Sequence, residues 1–337
     1  MPRRPVAVFA LAPWAFADVF PADVVARLRQ LVDVDPATTL TSFDGPVAAA
    51  ALAEADILLT GWGSPRVDAD VLAAAPGLRA VVHAAGTVKN CIDPVVFERG
   101  LVVSSAAEVN AVPVADYTMA MLVLGVKHAF SRARRYATAA EDTPRDWVSG
   151  TGTGLHDCTV GVVGASRVGR LVLRRLRAFE VEVLLHDPHV APAEAARLGV
   201  ELVGVDDLCR RSAVVTVHAP ALPETRHMLD DRRLGLLPAG ALVVNTARGS
   251  LIDTEALTRA CATGRISAIL DVTEPEPLPP GHPLFSLPNV LITPHLAGAQ
   301  GREVRRLGEF AVAEVGRFLK GALLVGRVEP ERLPYTA

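Results

Sequence analysis

The chain has 337 residues, half of them apolar and 21% charged, an ordinary composition for a folded protein with room for two domains. A formal net charge of −3 and the lack of any Lys/Arg run give no reason to expect a nucleic-acid partner. Cys91, Cys158, Cys209 and Cys261 lie far apart with no Cys-x-x-Cys pair, which argues against a zinc site or a disulfide framework and fits a reducing, cytoplasmic setting.

The opening MPRRPVAVFALAPWAF has a basic start and an apolar stretch. Pro5 and Pro13 bracket a strand-length run, so 6–11 reads as a strand rather than as part of a signal peptide. A helix is predicted from Pro21 to Leu31, with proline at a favoured first position. ADILLT (55–60), LRAVVHA (78–84) and LVVSSA (101–106) read as strands. Helices are predicted over 67–76 and 95–99. This alternation predicts a small α/β domain with a parallel sheet.

Apolar residues at Val114, Tyr117, Met121 and Leu124 keep helical spacing and predict a linking helix over 112–136. No apolar run after the N-terminus reads as reaching membrane-spanning length. The polar, Gly-containing stretch 140–156 reads as a loop or arm. From Cys158 the alternation restarts. Strands are predicted at 159–164, 181–187, 213–220, 241–247, 266–272 and 289–294, and helices at 167–179, 192–198, 205–212 and 253–263. This is the pattern of a doubly wound sheet. A closing helix over 300–320 is expected to pack back on the first domain. The domains therefore read as 1–106 plus 300–337, and 107–299.

TVGVVGASRVGR places Gly164, Ser166 and Gly169 at G-x-G-x-x-G positions between a strand and a helix, where a pyrophosphate meets helix N–H groups. Asp187 ends the next strand, at the place where a carboxylate bonds the ribose 2′-hydroxyl. Pro188 and His189 follow it rather than an arginine, so NAD is expected over NADP. Ser166 departs from the fingerprint, and its Cβ is expected to crowd the pyrophosphate. Further on, Arg248 in NTARGSLID, Glu276 in LDVTEPEPLP and His295 in LITPHLAG each follow a strand-like run. Parallel strands bring such positions to one edge. The arginine fork suits a carboxylate, and the histidine suits proton transfer near neutrality. The glutamate favours the imidazolium. Alone, each residue type is more often structural; together they suit reduction of a 2-oxo acid. His83, His186 and His218 also end strands but have no partners at ligand spacing, so no metal is expected.

These segments, with VTVHAPALPETRHML and LPAGALVVNTARGSLIDTEAL, resemble the D-isomer-specific 2-hydroxyacid dehydrogenases over nearly the whole chain. The resemblance implies an α/β fold of two domains. One is a doubly wound Rossmann-type NAD-binding domain. The other is a smaller flavodoxin-like substrate domain built from the N-terminal part and the closing helix. It also implies a homodimer and a small-molecule 2-oxo or 2-hydroxy acid as partner, with no nucleic acid and no membrane. Arg248 is implied to bind the carboxylate, Glu276 to pair with His295, and His295 to be the acid–base, with Glu274 off the family spacing. Arg167 and Val168 match positions beside the pyrophosphate. Pro220 and Thr225 match further cofactor positions, and Thr246, Ala247 and Asp271 match the nicotinamide side. Gly86, Thr87, Val88, Asn110 and Trp62 match substrate positions. Trp62 stands where some members carry an arginine for strongly anionic substrates, and reads either as a core or interface aromatic or as a pocket wall. The loop HAAGTVKN and Asp116 also depart from the family pattern. The implied function is NAD-dependent interconversion of a 2-oxo acid and a D-2-hydroxy acid. The alternatives are an NAD(H)-sensing corepressor or scaffold, and phosphite oxidation, which calls for a lysine where Thr87 stands.

Overall fold

The computed structural model describes residues 3–138 and 154–335, so most of the predicted arm lies outside the described residues. The chain divides into two units, Met1–Ala111 with Ala299–Thr336, and Val112–Gly298.

The first unit holds five parallel strands: β1 (Val6–Ala10), β2 (Asp33–Leu40), β3 (Ile57–Thr60), β4 (Ala80–His83) and β5 (Val102–Ser105), in the order β2-β1-β3-β4-β5. This is the flavodoxin-like order. The β3–β4 register pairs Thr60 with His83, so the two strands end level. β2 was not predicted: it contains Pro36, which an edge strand tolerates, and only Val34 and Leu40 are buried. Helices Pro13–Val19 and Pro46–Glu54 were also not predicted, the second because a run of alanines shows no apolar period. The helix after Pro21 is shorter than expected, Ala22–Leu28, with Pro21 as its N-cap. One face of the sheet packs against the closing helix through Leu307, Ala311, Val312 and Val315. That helix is Arg305–Leu319, preceded by a 3-10 turn, rather than one helix over 300–320. Glu314 is fully buried in it and accepts hydrogen bonds from Ser104 Oγ (2.5 Å), Arg317 Nη1 (2.9 Å) and the N–H groups of Val325 and Gly326. The tail then pairs antiparallel with β5 at Ser104 and Arg327.

The second unit holds β6 (Cys158–Val163), β7 (Val181–His186), β8 (Glu201–Leu202), β9 (Val214–Val217), β10 (Leu242–Asn245), β11 (Ser267–Leu270) and β12 (Val290–Ile292). Their order is β12-β11-β10-β9-β6-β7-β8, all parallel. Strand succession reverses between β6 and β9, the switch point where ligands meet such sheets. Both faces are covered by buried apolar clusters.

The predicted linking helix is two helices, Ala107–Val126 and Ala129–Thr138, with a break at His128, whose φ is +51°. Pro113 lies inside the first of them rather than near its start. That helix is also long and apolar enough to cross a membrane, contrary to the expectation from sequence. Here it buries Ala115, Met119, Leu122 and Val126 in the core of the second unit. Asp116 on the same helix pairs with Arg175 at 2.6 Å.

Candidate active site

In the second unit β6 ends in the tight turn that the fingerprint predicts. Gly164 has φ +93°, and a Cβ there would meet the Ala219 nitrogen at 2.6 Å. A Cβ on Gly169 would lie 2.0 Å from the Gly164 carbonyl oxygen. Both positions therefore exclude a side chain. Ser166 does not need to be glycine: its φ of −62° is ordinary, and it is the N-cap of the helix Arg167–Leu176, its hydroxyl accepting from Gly169 N–H at 3.3 Å. Val168 N–H, in the first turn, makes no bond within the chain among the described residues. Asp187 Oδ2 accepts from Ala165 N–H (2.7 Å) and Oδ1 from His189 N–H (2.8 Å), so the carboxylate is fixed beside the turn with lone pairs to spare. This cradle fits a dinucleotide: close backbone approach, a helix N-terminus and an anchored carboxylate.

His218 follows β9 beside this turn. It is buried, with Nε2 2.9 Å from Thr216 Oγ1, and burial lowers its pKa to about 3. Thr225 Oγ1 donates to the Pro220 carbonyl at 2.7 Å and accepts from Leu222 N–H, so both predicted cofactor residues are engaged in shaping their own loop.

After β10, Asn245 clamps the NTARG turn: its Oδ1 accepts from Ala247 N–H (3.0 Å) and its Nδ2 donates to the Arg248 carbonyl (2.8 Å). Thr246 is buried and donates to Thr118 Oγ1 at 2.8 Å, since the Thr118 hydroxyl itself donates to Val114 O. Gly249 is tightly enclosed; a Cβ there would lie 2.0 Å from the Thr273 carbonyl. Arg248 donates to the Ala247 carbonyl (2.6 Å) and makes no ion pair within the described residues. Burial lowers its pKa from the ordinary arginine value, and attraction to Glu276 opposes that shift.

His295 Nδ1 lies 2.6 Å from Glu276 Oε1. Its backbone is left-handed, φ +52°, an uncommon state for a residue with a side chain. The loop is held there by Asp271, buried at 1% exposure. The Asp271 carboxylate accepts from Thr293 Oγ1 (2.6 Å), Leu296 N–H (2.9 Å) and Ala297 N–H (2.9 Å), and its carbonyl accepts from His295 N–H (3.0 Å). Tyr117 O–H donates to Thr293 Oγ1 at 2.8 Å and continues the chain. Glu274 is committed elsewhere, to Arg226 (2.7 Å) and His227 (3.1 Å), and the Arg226 bond holds its pKa below the usual carboxylate value. Tyr117, Thr118, Asn245 and Thr293 were missed by sequence reasoning; the only signal was a Tyr-Thr pair inside an apolar helix.

In the first unit the N–H groups of Gly86, Thr87 and Val88 make no hydrogen bond within the described residues. Ser105 Oγ donates to the Gly86 carbonyl, and the Val88 side chain is buried in the core, so this loop offers backbone donors. Asn110 Oδ1 accepts from Ala299 N–H (3.0 Å), and its Nδ2 would lie 3.3 Å from a Cβ on Gly86. His83, just before the loop, is buried with Nδ1 2.9 Å from Thr60 Oγ1, and burial lowers its pKa to about 4. Trp62 is half-buried against the core and stacks on Trp14.

A profile of the D-isomer specific 2-hydroxyacid dehydrogenase NAD binding domain matches residues 121–297. A D-3-phosphoglycerate dehydrogenase of Mycobacterium bovis is 37% identical over 323 residues, covering 92% of this chain and 58% of that protein. A glyoxylate reductase of Thermofilum pendens is 33% identical over 270 residues, 80% of each chain. A crystal structure of a Thermus thermophilus protein matches with 32% identity and a TM-score of 0.75, covering 97% of this chain and 100% of that one. This chain spans 58% of the length of the mycobacterial relative. It belongs to the D-isomer specific 2-hydroxyacid dehydrogenase family and carries that family's NAD-binding domain.

Proposed function

We propose that the chain reduces a 2-oxo acid to a D-2-hydroxy acid, and runs the reverse oxidation, with NAD(H). The observation that carries this reading is the 2.6 Å bond between His295 Nδ1 and Glu276, which leaves Nε2 without a partner in the described residues. Held at the Gly164 turn and by Asp187, the nicotinamide cofactor would supply the hydride for reduction and accept it in oxidation. His295 Nε2 gives a proton to the carbonyl oxygen during reduction and removes it from the hydroxyl during oxidation. Glu276 holds the imidazole through Nδ1, which fixes the ring's orientation and leaves Nε2 for the substrate oxygen. Arg248 has a guanidinium in a desolvated setting with no ion pair among the described residues, and it takes the substrate carboxylate and polarises the carbonyl. The free N–H groups of Gly86, Thr87 and Val88 supply further donors for an anion. Asp187 bonds the adenosine ribose and disfavours a 2′-phosphate.

A homodimer in the cytoplasm belongs to the same reading, supported by the family and by four free, buried thiols. The test is NADH consumption with a panel of 2-oxo acids differing in size and charge. Turnover of at least one of them is expected. NADH binding without turnover of any would leave a nucleotide-sensing role instead.

A further inference from the structure

β1, β3 and β4 are neighbours, and the chain leaving each of them carries a distinct group. After β1 comes Trp14, at the start of the helix Pro13–Val19. After β3 comes Trp62, and after β4 the free N–H groups of 86–88. The first two loops are tied together. Ala12 N–H donates to the Trp62 carbonyl at 2.8 Å. Gly63, at φ +70°, lies so close that a Cβ there would come within 2.6 Å of Ala12 Cβ. The indoles are stacked, with centroids 6.1 Å apart and planes at 15°. Trp62 rests on the core, while Trp14 is 68% exposed.

An exposed aromatic surface and a row of free backbone donors, following adjacent strands of one sheet, suit a ligand with a carboxylate at one end and an apolar ring at the other. The indoles carry one N–H donor each and no positive charge. The cations around these loops have partners: Arg66 pairs with Asp93 at 2.6 Å, Arg79 lies over Phe318 at the opposite end of β4, and Lys89, beside the donors, is not free either.

We propose that Trp14 and Trp62 form the side-chain subsite of the substrate, so that the chain prefers 2-oxo acids bearing an aromatic side chain over short or phosphorylated ones. The proposal rests on the 2-oxo acid reading above and adds the substrate class.

The experiment compares kcat/KM with NADH for phenylpyruvate, glyoxylate and 3-phosphohydroxypyruvate in the unmodified protein, Trp14→Ala and Trp14→Phe. Thermal melting checks the fold, which an exposed residue should leave intact. Phenylpyruvate should exceed both other acids by about tenfold or more. Trp14→Ala should cut the phenylpyruvate-to-glyoxylate ratio by about tenfold, roughly 1.4 kcal/mol, and Trp14→Phe should restore most of it. D-phenyllactate, but not D-3-phosphoglycerate, should quench tryptophan emission saturably, and Trp14→Ala should weaken that quenching. A preference for 3-phosphohydroxypyruvate overturns the proposal. So does an unchanged ratio in Trp14→Ala, including the case where the variant alters only the oligomeric state. If no acid turns over, the catalytic reading fails, and the quenching titration alone decides: selective quenching supports the aromatic subsite, and none refutes it.

Discussion

Asp271→Asn isolates the device that holds His295. The carboxylate is buried and accepts from Thr293 Oγ1, Leu296 N–H and Ala297 N–H at 2.6, 2.9 and 2.9 Å. An asparagine keeps one acceptor oxygen, which can retain the first two bonds. Its NH₂ then faces the Ala297 N–H, donor against donor. Hydrogen bonds to a charged group contribute about 1.5–3 kcal/mol, and a buried donor left unpaired costs about 1–3 kcal/mol. The same loop holds His295 at φ +52°, a conformation costing roughly 1–2 kcal/mol for an L-residue. Losing the clamp therefore removes about as much free energy as the left-handed turn requires. We expect unfolding stability to fall by about 2–4 kcal/mol and kcat to fall ~10–100-fold as His295 loses its position. NADH affinity should change much less. Urea unfolding, steady-state kinetics and NADH titration on the one variant separate these effects. Unimpaired kcat in a destabilised variant would show that Asp271 does not position the histidine, and unimpaired stability would contradict the hydrogen-bond assignment itself.

Three further outcomes follow from the same geometry. Glu276→Gln removes the carboxylate that holds the imidazole through Nδ1, so kcat should fall while NADH affinity stays close to that of the unmodified protein; an unimpaired kcat would remove Glu276 from its role. Asp187→Ala should shrink the preference for NADH over NADPH, measured as a ratio of kcat/KM values, and equal use of the two cofactors by the unmodified protein would contradict the ribose assignment. Burial lowers His83 to about 4 and His218 to about 3, against an unfolded value near ~6.5. Between those limits the unfolded chain binds protons that the native chain does not. Stability should therefore be insensitive to these groups above pH ~6.5 and fall below it by up to about 1.4 kcal/mol per pH unit for each histidine. His83→Asn should flatten that slope in urea melts at a series of pH values, and an unaltered slope would mean that His83 is charged in the native state.

Much of the second unit was legible because its strands are short apolar runs that end in a residue with chemistry. Arg248, Glu276 and His295 announce themselves this way, and so does the Gly164 turn. What holds them was not legible, because the partners are far apart in sequence. Asp271 reaches Leu296 and Ala297, and Thr293 meets Tyr117 from another element. Tyr117 also fits an apolar helical period, which hid its hydroxyl. In the first unit β2 escaped notice because an edge strand with Pro36 buries only part of its length. The helix Ala107–Val126 begins before the predicted start at 112, because its first residues, Ala107 to Ala111, lie ahead of the apolar positions that set the period. Ser166 looked like damage to a glycine motif. Its φ shows that only Gly164 and Gly169 need to lack a side chain.

The central claim is that His295 Nε2 moves the proton on the substrate oxygen. Its most direct test is His295→Asn, with NADH affinity measured by titration and single-turnover reduction of the best 2-oxo acid followed alongside. We expect NADH binding within about twofold of the unmodified protein, and a chemical step slowed by ~10²–10⁴-fold. A variant that still reduces the acid at close to the original single-turnover rate would contradict the account.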